Sequence, residues 1–182
     1  MKQEQPANER SAFVTDLETI RRRARQQIEE GAVTQGYDGD SQTVVKLLND
    51  ALATEIVCVL RYRRHYFMAQ GMNSESVKKE FIQHANEEQG HADQLAERIV
   101  QLGGEPNLSP DGMLSRSHSE YIEGDTLGEM IKEDLIAERI AIDSYRDMIE
   151  YLKEFDPTTR RLLEEILAKE EEHAEDLVSL LK

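Results

Sequence analysis

One phrase occurs twice in this chain and restricts its fold more than any other feature. Glu88-Gln89-Gly90-His91-Ala92-Asp93-Gln94-Leu95 returns as Glu170-Glu171-Glu172-His173-Ala174-Glu175-Asp176-Leu177, an E-x-x-H-A-[D/E]-x-L pattern. Each copy has a matched partner upstream. Glu55 is followed by Tyr62-Arg63, Glu138 by Tyr145-Arg146, and the lone Glu precedes its E-x-x-H by 33 and 32 residues. On an α-helix, residues i and i+3 project from one face. The face carrying Glu88 and His91 also carries Phe81, Leu95 and Leu102, so an acid and an imidazole stand in a row of core spacing. A buried carboxylate is costly unless paired, and a cation is the obvious partner. A single E-x-x-H is common in an acidic helical chain. Two copies with matched upstream acids point to two similar helix pairs that enclose a polar centre.

Length and composition agree with a helical domain. The chain has 182 residues, 32% of them charged, with 10 Gly, 4 Pro and no Trp. Apolar residues recur at helical spacing, which predicts one all-α domain. No apolar run approaches the roughly 18 residues of a membrane helix, and the opening MKQEQPANER has no apolar signal core, so the expected location is cytoplasmic. Cys58 is the single cysteine: it forms no internal disulfide and builds no thiolate metal site. A net charge of −15 argues against a broad nucleic-acid surface and is compatible with cation binding or simple solubility.

Residues 1–40 read as an N-terminal extension. Its first ten residues are polar and expected to lack order. From Ser11 to Glu30, Phe13, Leu17, Ile20, Ala24 and Ile28 form a narrow amphipathic stripe that predicts one helix. Its outer face holds Arg21, Arg22, Arg23 and Arg25. Contact with DNA phosphates is one use for them; a solvated face paired with Asp16, Glu18, Glu29 and Glu30 is the favoured reading. Residues 41–182 read as a four-helix bundle. The first helix runs from an N-cap at Ser41 to Gln70, and the second is opened by Asn73-Ser74, runs 75–102 and is closed by Gly103-Gly104. The third runs 126–153, and Asp156-Pro157 starts the fourth. Residues 105–124, with Pro106, Pro110 and Gly112, have room for a short helical turn but no clear period. So long a connection fits a bundle whose second and third helices run parallel.

Four helices then contribute one inward acid each, Glu55, Glu88, Glu138 and Glu170, and two contribute His91 and His173. Carboxylate and imidazole suit borderline divalent metals such as iron, manganese or zinc. Six ligands exceed the need of one tetrahedral zinc but fit two ions, each with one His and one terminal Glu, and two Glu shared between them. Ions held that close can pass two electrons to O₂ or H₂O₂ together. Tyr62 and Tyr145, two turns beyond the terminal acids, are placed to hydrogen-bond those carboxylates, with simple packing as the alternative.

A Glu from each of two helices and E-x-x-H from the other two is the ferritin-like di-metal signature. Residues 44–182 resemble the bacterioferritin branch of that superfamily. The matches are Leu48-Asn-Asp-Ala-Leu-Ala-Thr-Glu55, Glu88-x-x-His91-Ala-Asp, Gly103-Gly-Glu-Pro-Asn107, Asp134-Leu-Ile-Ala-Glu138 and Ile166-Leu-x-x-Glu170-Glu-x-His173. The resemblance implies a ferroxidase and iron-storage protein with two Fe ions per subunit, Mn or Zn being able to substitute. Glu55 and His91 would bind one ion, Glu138 and His173 the other, with Glu88 and Glu170 bridging.

Two departures stand out. Haem-holding bacterioferritins place Met immediately after the first bridging Glu; Gln89 stands there, so no haem is expected. Their fifth helix has no counterpart after the fourth helix here, and the N-terminal extension is similar in position to the tails of the Dps-like miniferritins. A homo-oligomeric shell of twelve subunits is therefore expected over one of twenty-four, with the centre inside each subunit. The alternatives are a Dps-like DNA-binding protector using Arg21–Arg25, and a rubrerythrin-like peroxidase without storage. The latter is disfavoured because no Cys-x-x-Cys is present. Cys58 reads as a small buried hydrophobe and His84 as a packed or partly exposed residue, with a role in iron entry as its lesser reading. His65 and His118 carry no signal, and Met68, Met72, Met130 and Met148 read as packing.

Overall fold

The computed structural model describes residues 15–71 and 74–182, which contain six α-helices and no strand. In chain order these are α1 (Leu17–Arg23), α2 (Ser41–Met68), α3 (Ser74–Gln101), α4 (Met113–Arg116), α5 (Leu127–Leu152) and α6 (Pro157–Leu180), with one 3₁₀ turn at Ile28–Glu30. The long helices begin where side chains can accept from orphan backbone N–H groups. Thr126 and Glu129 form a reciprocal capping box on α5, and Asp156 caps α6 ahead of Pro157. At α2 the cap is Asp40 and not Ser41: its carboxylate accepts from Gln42 N and from the Thr43 hydroxyl. That shifts the predicted boundary by one residue. The opposite end falls at Met68 rather than Gln70. Asn73, Met72 and Phe13 lie outside the described residues.

The extension departs furthest from expectation. Within the described part of the predicted 11–30 helix, α1 runs from Leu17 to Arg23, and the chain turns at Gln27, which takes a left-handed φ of 51°. Among the described residues nothing covers the apolar stripe: Leu17 is 55% and Ile20 51% exposed. An isolated helix shorter than about 12–15 residues is marginal without packing. The arginines form a solvated face as expected, and hydrogen bonds from Thr19, helped by the charge of Arg22, lower the Asp16 carboxyl. Among the described residues no close ion pair forms there, and Arg25 donates to the Arg21 carbonyl. Among the described residues of the extension, the segment just before α2 is the part that docks on the bundle. There Tyr37 donates to Asp156 (2.9 Å) and packs edge-on against Phe155.

α2 pairs with α3, and α5 with α6; α2–α5 and α3–α6 contacts join the two hairpins. Side-chain pairs fix the directions. Tyr62 reaches Glu138 while Glu55 meets Tyr145, so α2 and α5 run opposed. Val45 lies against Gly104, and Tyr62 against His84, so α2 and α3 are opposed too. α3 and α5 are therefore parallel, and residues 105–124 cross from one end of the bundle to the other. Glu120 and Glu123 lend their carbonyls to Arg61 and His65, while Asn49 of α2 holds Glu105 and Asn107. Beside a smaller apolar cluster of Ala53, Val57 and Met113, two large ones complete the core. One contains Leu48, Leu52, Leu95, Ile99, Leu163 and Ile166; the other contains Tyr62, Val77, Phe81, Ile131 and Leu177. Each fully buried Leu, Ile or Phe contributes about 1.5–3 kcal/mol, and the polar centre sits between the two clusters.

Candidate metal centre

The repeated helix pairs bring all six sequence-selected residues to one buried space. Glu55, Glu88, Glu138, Glu170, His91 and His173 each expose less than a tenth of their surface. Donor atoms of Glu55, Glu88, His91 and Glu170 lie within 4.8 Å of one another, and so do those of Glu88, Glu138, Glu170 and His173. Two four-residue groups thus share Glu88 and Glu170. His91 Nδ1 is 3.5 Å from Glu55, 3.3 Å from Glu88 and 2.8 Å from Glu170. His173 Nδ1 is 3.2 Å from Glu88, 3.9 Å from Glu138 and 3.8 Å from Glu170.

Each tyrosine holds an acid, but crosswise. Tyr62 donates to Glu138 and Tyr145 donates to Glu55, so each hydroxyl serves the terminal acid of the other half. One oxygen of each acid is thereby fixed. Glu55 Oε2, Glu138 Oε2 and Glu170 Oε1 are left buried without a hydrogen-bond partner; the close His91–Glu170 approach is out of line for one. Three orphaned carboxylate oxygens beside two imidazoles are a donor set that fits borderline divalent cations.

Without a cation, burial and like-charge repulsion hold protons on part of this carboxylate set. Burial, then repulsion from Glu88, pushes Glu55 up to about 8. Burial and repulsion from Glu88, Glu55 and Glu138 push Glu170 well above the usual carboxylate range. Glu88 goes the other way: burial and Glu138 oppose its ionisation, but hydrogen bonds from Glu55, His173 and His91 outweigh them. Burial also disfavours the imidazolium forms of His91 and His173. Bonds to Glu55 and Glu88 overcome this at His91, raised to about 10, and Glu88 and Glu138 do so at His173, raised to about 9. The centre attracts positive charge, whether proton or metal.

Several neighbours gave little signal in the sequence. Glu87 accepts from His173 Nε2 at 2.7 Å, which leaves Nδ1 facing the centre. His84 is fully buried, stacked 4.0 Å from the His173 ring, and its Nδ1 meets the Tyr62 hydroxyl at 3.2 Å. Cys58 is buried as expected, but it is not merely a hydrophobe: Arg61 donates to its sulfur, and Ser119 lies 3.6 Å away. His65, which carried no signal, is fully buried with Nδ1 2.8 Å from Asp134. His118 is exposed, Met130 and Met148 are core residues, and Met68 is 47% exposed rather than packed. Gln89 lies at the bundle surface and donates to Asp93.

The chain is similar to known proteins in sequence and fold. The ferritin-like domain family matches residues 45–182. A bacterioferritin from Brucella melitensis is 32% identical over 139 residues, covering 76% of this chain and 82% of the relative. A nutrient stress-induced DNA-binding protein from Nostoc sp. is 32% identical over 142 residues, covering 76% and 77%. Among solved structures, the dodecameric thioferritin of Bacteroides fragilis, a bacterioferritin-related protein, superposes with a TM-score of 0.75 at 30% identity, covering 78% of this chain and 86% of its own.

Proposed function

From the premise that the chain belongs to the ferritin-like family, we propose that it is a ferroxidase and iron-storage protein. Fe(II) is the substrate, and the reaction takes place inside one subunit. The observation that supports this reading is the pair of four-residue groups sharing Glu88 and Glu170. Glu55 and His91 hold one Fe(II), Glu138 and His173 hold the other, and the two shared carboxylates bridge. Each Fe(II) gives up one electron, so a two-electron oxidant is reduced in a single encounter: H₂O₂ to water, or O₂ to H₂O₂. No free radical has to leave the site.

The surrounding side chains serve this chemistry by positioning. Tyr62 and Tyr145 pin one oxygen of each terminal acid and leave the other for metal. Glu87 orients His173, and the apolar clusters on either side limit water access. Four carboxylates and two neutral imidazoles balance two divalent ions, which removes the repulsion that pushes up Glu55 and Glu170. Ferric product is stored as mineral within a homo-oligomeric shell, twelve subunits being favoured by the relation to a protein described as dodecameric.

The test is stopped-flow Fe(II) oxidation under O₂ and under H₂O₂, together with native mass. Two Fe(II) oxidised per chain in a fast phase, by a species of shell size, is the expected result. A slow reaction without stoichiometry, or metal found only between chains, would refute the reading.

A second reading, contact of DNA phosphates by α1, has one observation behind it: Arg21, Arg22 and Arg23 are exposed on a helix with no buried residue. The net charge of −15 opposes it.

A further inference from the structure

Beside the six-residue centre, three side chains form a cluster of their own. His84 Nε2 points outward, 3.7 Å from Asp176 Oδ2 and 4.0 Å from Glu80 Oε2. The imidazole is fully buried, yet Nε2 has no hydrogen-bond partner. The two acids open to solvent, their side chains 36% and 45% exposed. With the Glu138 carboxylate as the acceptor, hydrogen-bond accounting selects one tautomer. The Tyr62 hydroxyl has one proton and donates it to Glu138. Its oxygen must then accept from His84 Nδ1–H. That leaves Nε2 as a bare lone pair facing two carboxylates, three acceptors with no donor among them.

The internal repeat shows that the bundle itself does not require this arrangement. In the register that matches Glu88 to Glu170 and His91 to His173, Glu80 corresponds to Leu162, His84 to Ile166 and Asp176 to Gln94. Ile166 packs in the core at its position. At one end of the centre the repeat places hydrocarbon. The other is closed by a ring with a free ligand atom.

We propose that Glu80, His84 and Asp176 bind a third divalent first-row cation, Fe(II) in the working protein, at a loading site between solvent and His173. One nitrogen and two carboxylate oxygens suit such ions. Bonds of 2.0–2.2 Å to a tetrahedral ion put its ligand atoms about 3.4 Å apart, so the cluster closes on a cation with small side-chain shifts. The role in loading rests on the ferroxidase reading; the binding does not. Through its stack on His173 and its bond to Tyr62, which holds Glu138, His84 connects the outer cation to both terminal ligands of one half of the centre.

The test uses the full-length protein freed of metal and titrated anaerobically with Co(II), alongside Glu80→Gln/Asp176→Asn and Glu88→Gln/Glu170→Gln. The first variant leaves His84, the His173 stack and the six-residue centre intact. Wild type should bind one Co(II) per chain more than this variant, and crystals at the cobalt edge should show an anomalous peak at His84 Nε2 that the variant lacks. Equal counts, or no peak there, would overturn the proposal. The bridge variant should lose the inner ions and keep the outer peak; if it instead binds as many Co(II) as wild type, the ferroxidase centre fails and the outer site stands. At sub-saturating Fe(II), initial oxidation should slow several-fold in Glu80→Gln/Asp176→Asn. An unchanged rate would overturn the loading role.

Discussion

Replacing Glu55 with Gln removes a charge from the centre and keeps its shape. The amide retains a carbonyl oxygen for the Tyr145 hydroxyl, but it cannot ionise. In the metal-free wild type, Glu55 is raised from its usual 4.5 to about 8, by burial first and Glu88 second. The folded chain therefore holds this proton more tightly than the unfolded chain. The stability so gained is full below pH 4.5 and is lost as the pH rises through about 8. Gln loses nothing over that range. At roughly 1.4 kcal/mol per pH unit, the gap between 4.5 and about 8 caps the advantage at about 5 kcal/mol. His91 draws part of its own stabilisation from Glu55, so the net gain is set below that cap. At about 2–4 °C per kcal/mol for a domain of this size, the metal-free variant should melt on the order of 5–10 °C above wild type at pH 9. At pH 5, where both side chains are neutral, the two should nearly coincide. Metal reverses the order. A cation at a hundredfold excess over its Kd adds about 2.7 kcal/mol to wild type, and the variant, short of one anionic ligand, gains less. Circular-dichroism melts of metal-free protein at pH 5 and pH 9, and of Co(II)-loaded protein at pH 7, read all three effects. A metal-free variant that melts below wild type at pH 9, or an equal Co(II)-induced rise, would refute the reasoning.

Replacing Glu88 or Glu170 with Ala should abolish fast paired Fe(II) oxidation, whereas Glu55→Ala or Glu138→Ala should leave one ion bound and oxidised slowly; stopped-flow traces separate the classes, and four variants of one speed would contradict the bridging assignment. Arg61→Met leaves the buried Asp134 carboxylate with His65 but without its guanidinium partner, and the expected cost is about 3–5 kcal/mol in chemical denaturation. Adding Asp134→Leu should recover much of that loss, and no recovery would mean that the pair is not the unit that matters. Protein made with ample haem should show no Soret band, because Gln89 offers no thioether at the position where haem-binding relatives carry Met; a stoichiometric Met-ligated haem would show the assignment of that helix to be wrong. Finally, gel-shift assays should show no retention of DNA at physiological salt, and any retention at low salt should vanish when Arg21, Arg22 and Arg23 are changed to Glu.

The repeated phrase made the centre legible because a helix converts spacing into direction. E-x-x-H fixes two donors on one face, and a matched upstream Glu fixes a third on the facing helix. Helix ends were read to within one or two residues wherever a strong cap or breaker marks them, as at Asp156-Pro157 and Gly103-Gly104. The extension was misread because its period of three to four says only that a helix has an apolar stripe, not that anything covers it. Arg61, His65 and Asp134 were illegible for a different reason. Their partnership spans α2, α5 and the carbonyls of the crossover, and no local pattern distinguishes a buried Arg from the exposed Arg63 beside it.

The same repeat also explains why the tyrosines cross between halves. If the two helix pairs are related by an approximate two-fold axis through the centre, a residue two turns along α2 lies level with the acid of α5, because those helices run opposed. Tyr62 therefore passes its own Glu55 and meets Glu138, and Tyr145 does the converse. Symmetry of this kind builds a centre for two equivalent ions from one sequence phrase used twice. It gives no preferred side for ions to enter. Glu80, His84 and Asp176 break the symmetry at one end, where the matching positions carry Leu162, Ile166 and Gln94. The asymmetry gives that end, next to His173, a set of ligands open to solvent, while the matching positions of the other helix pair carry no imidazole or carboxylate. A directional path for cations thus comes from the residues that the repeat does not share.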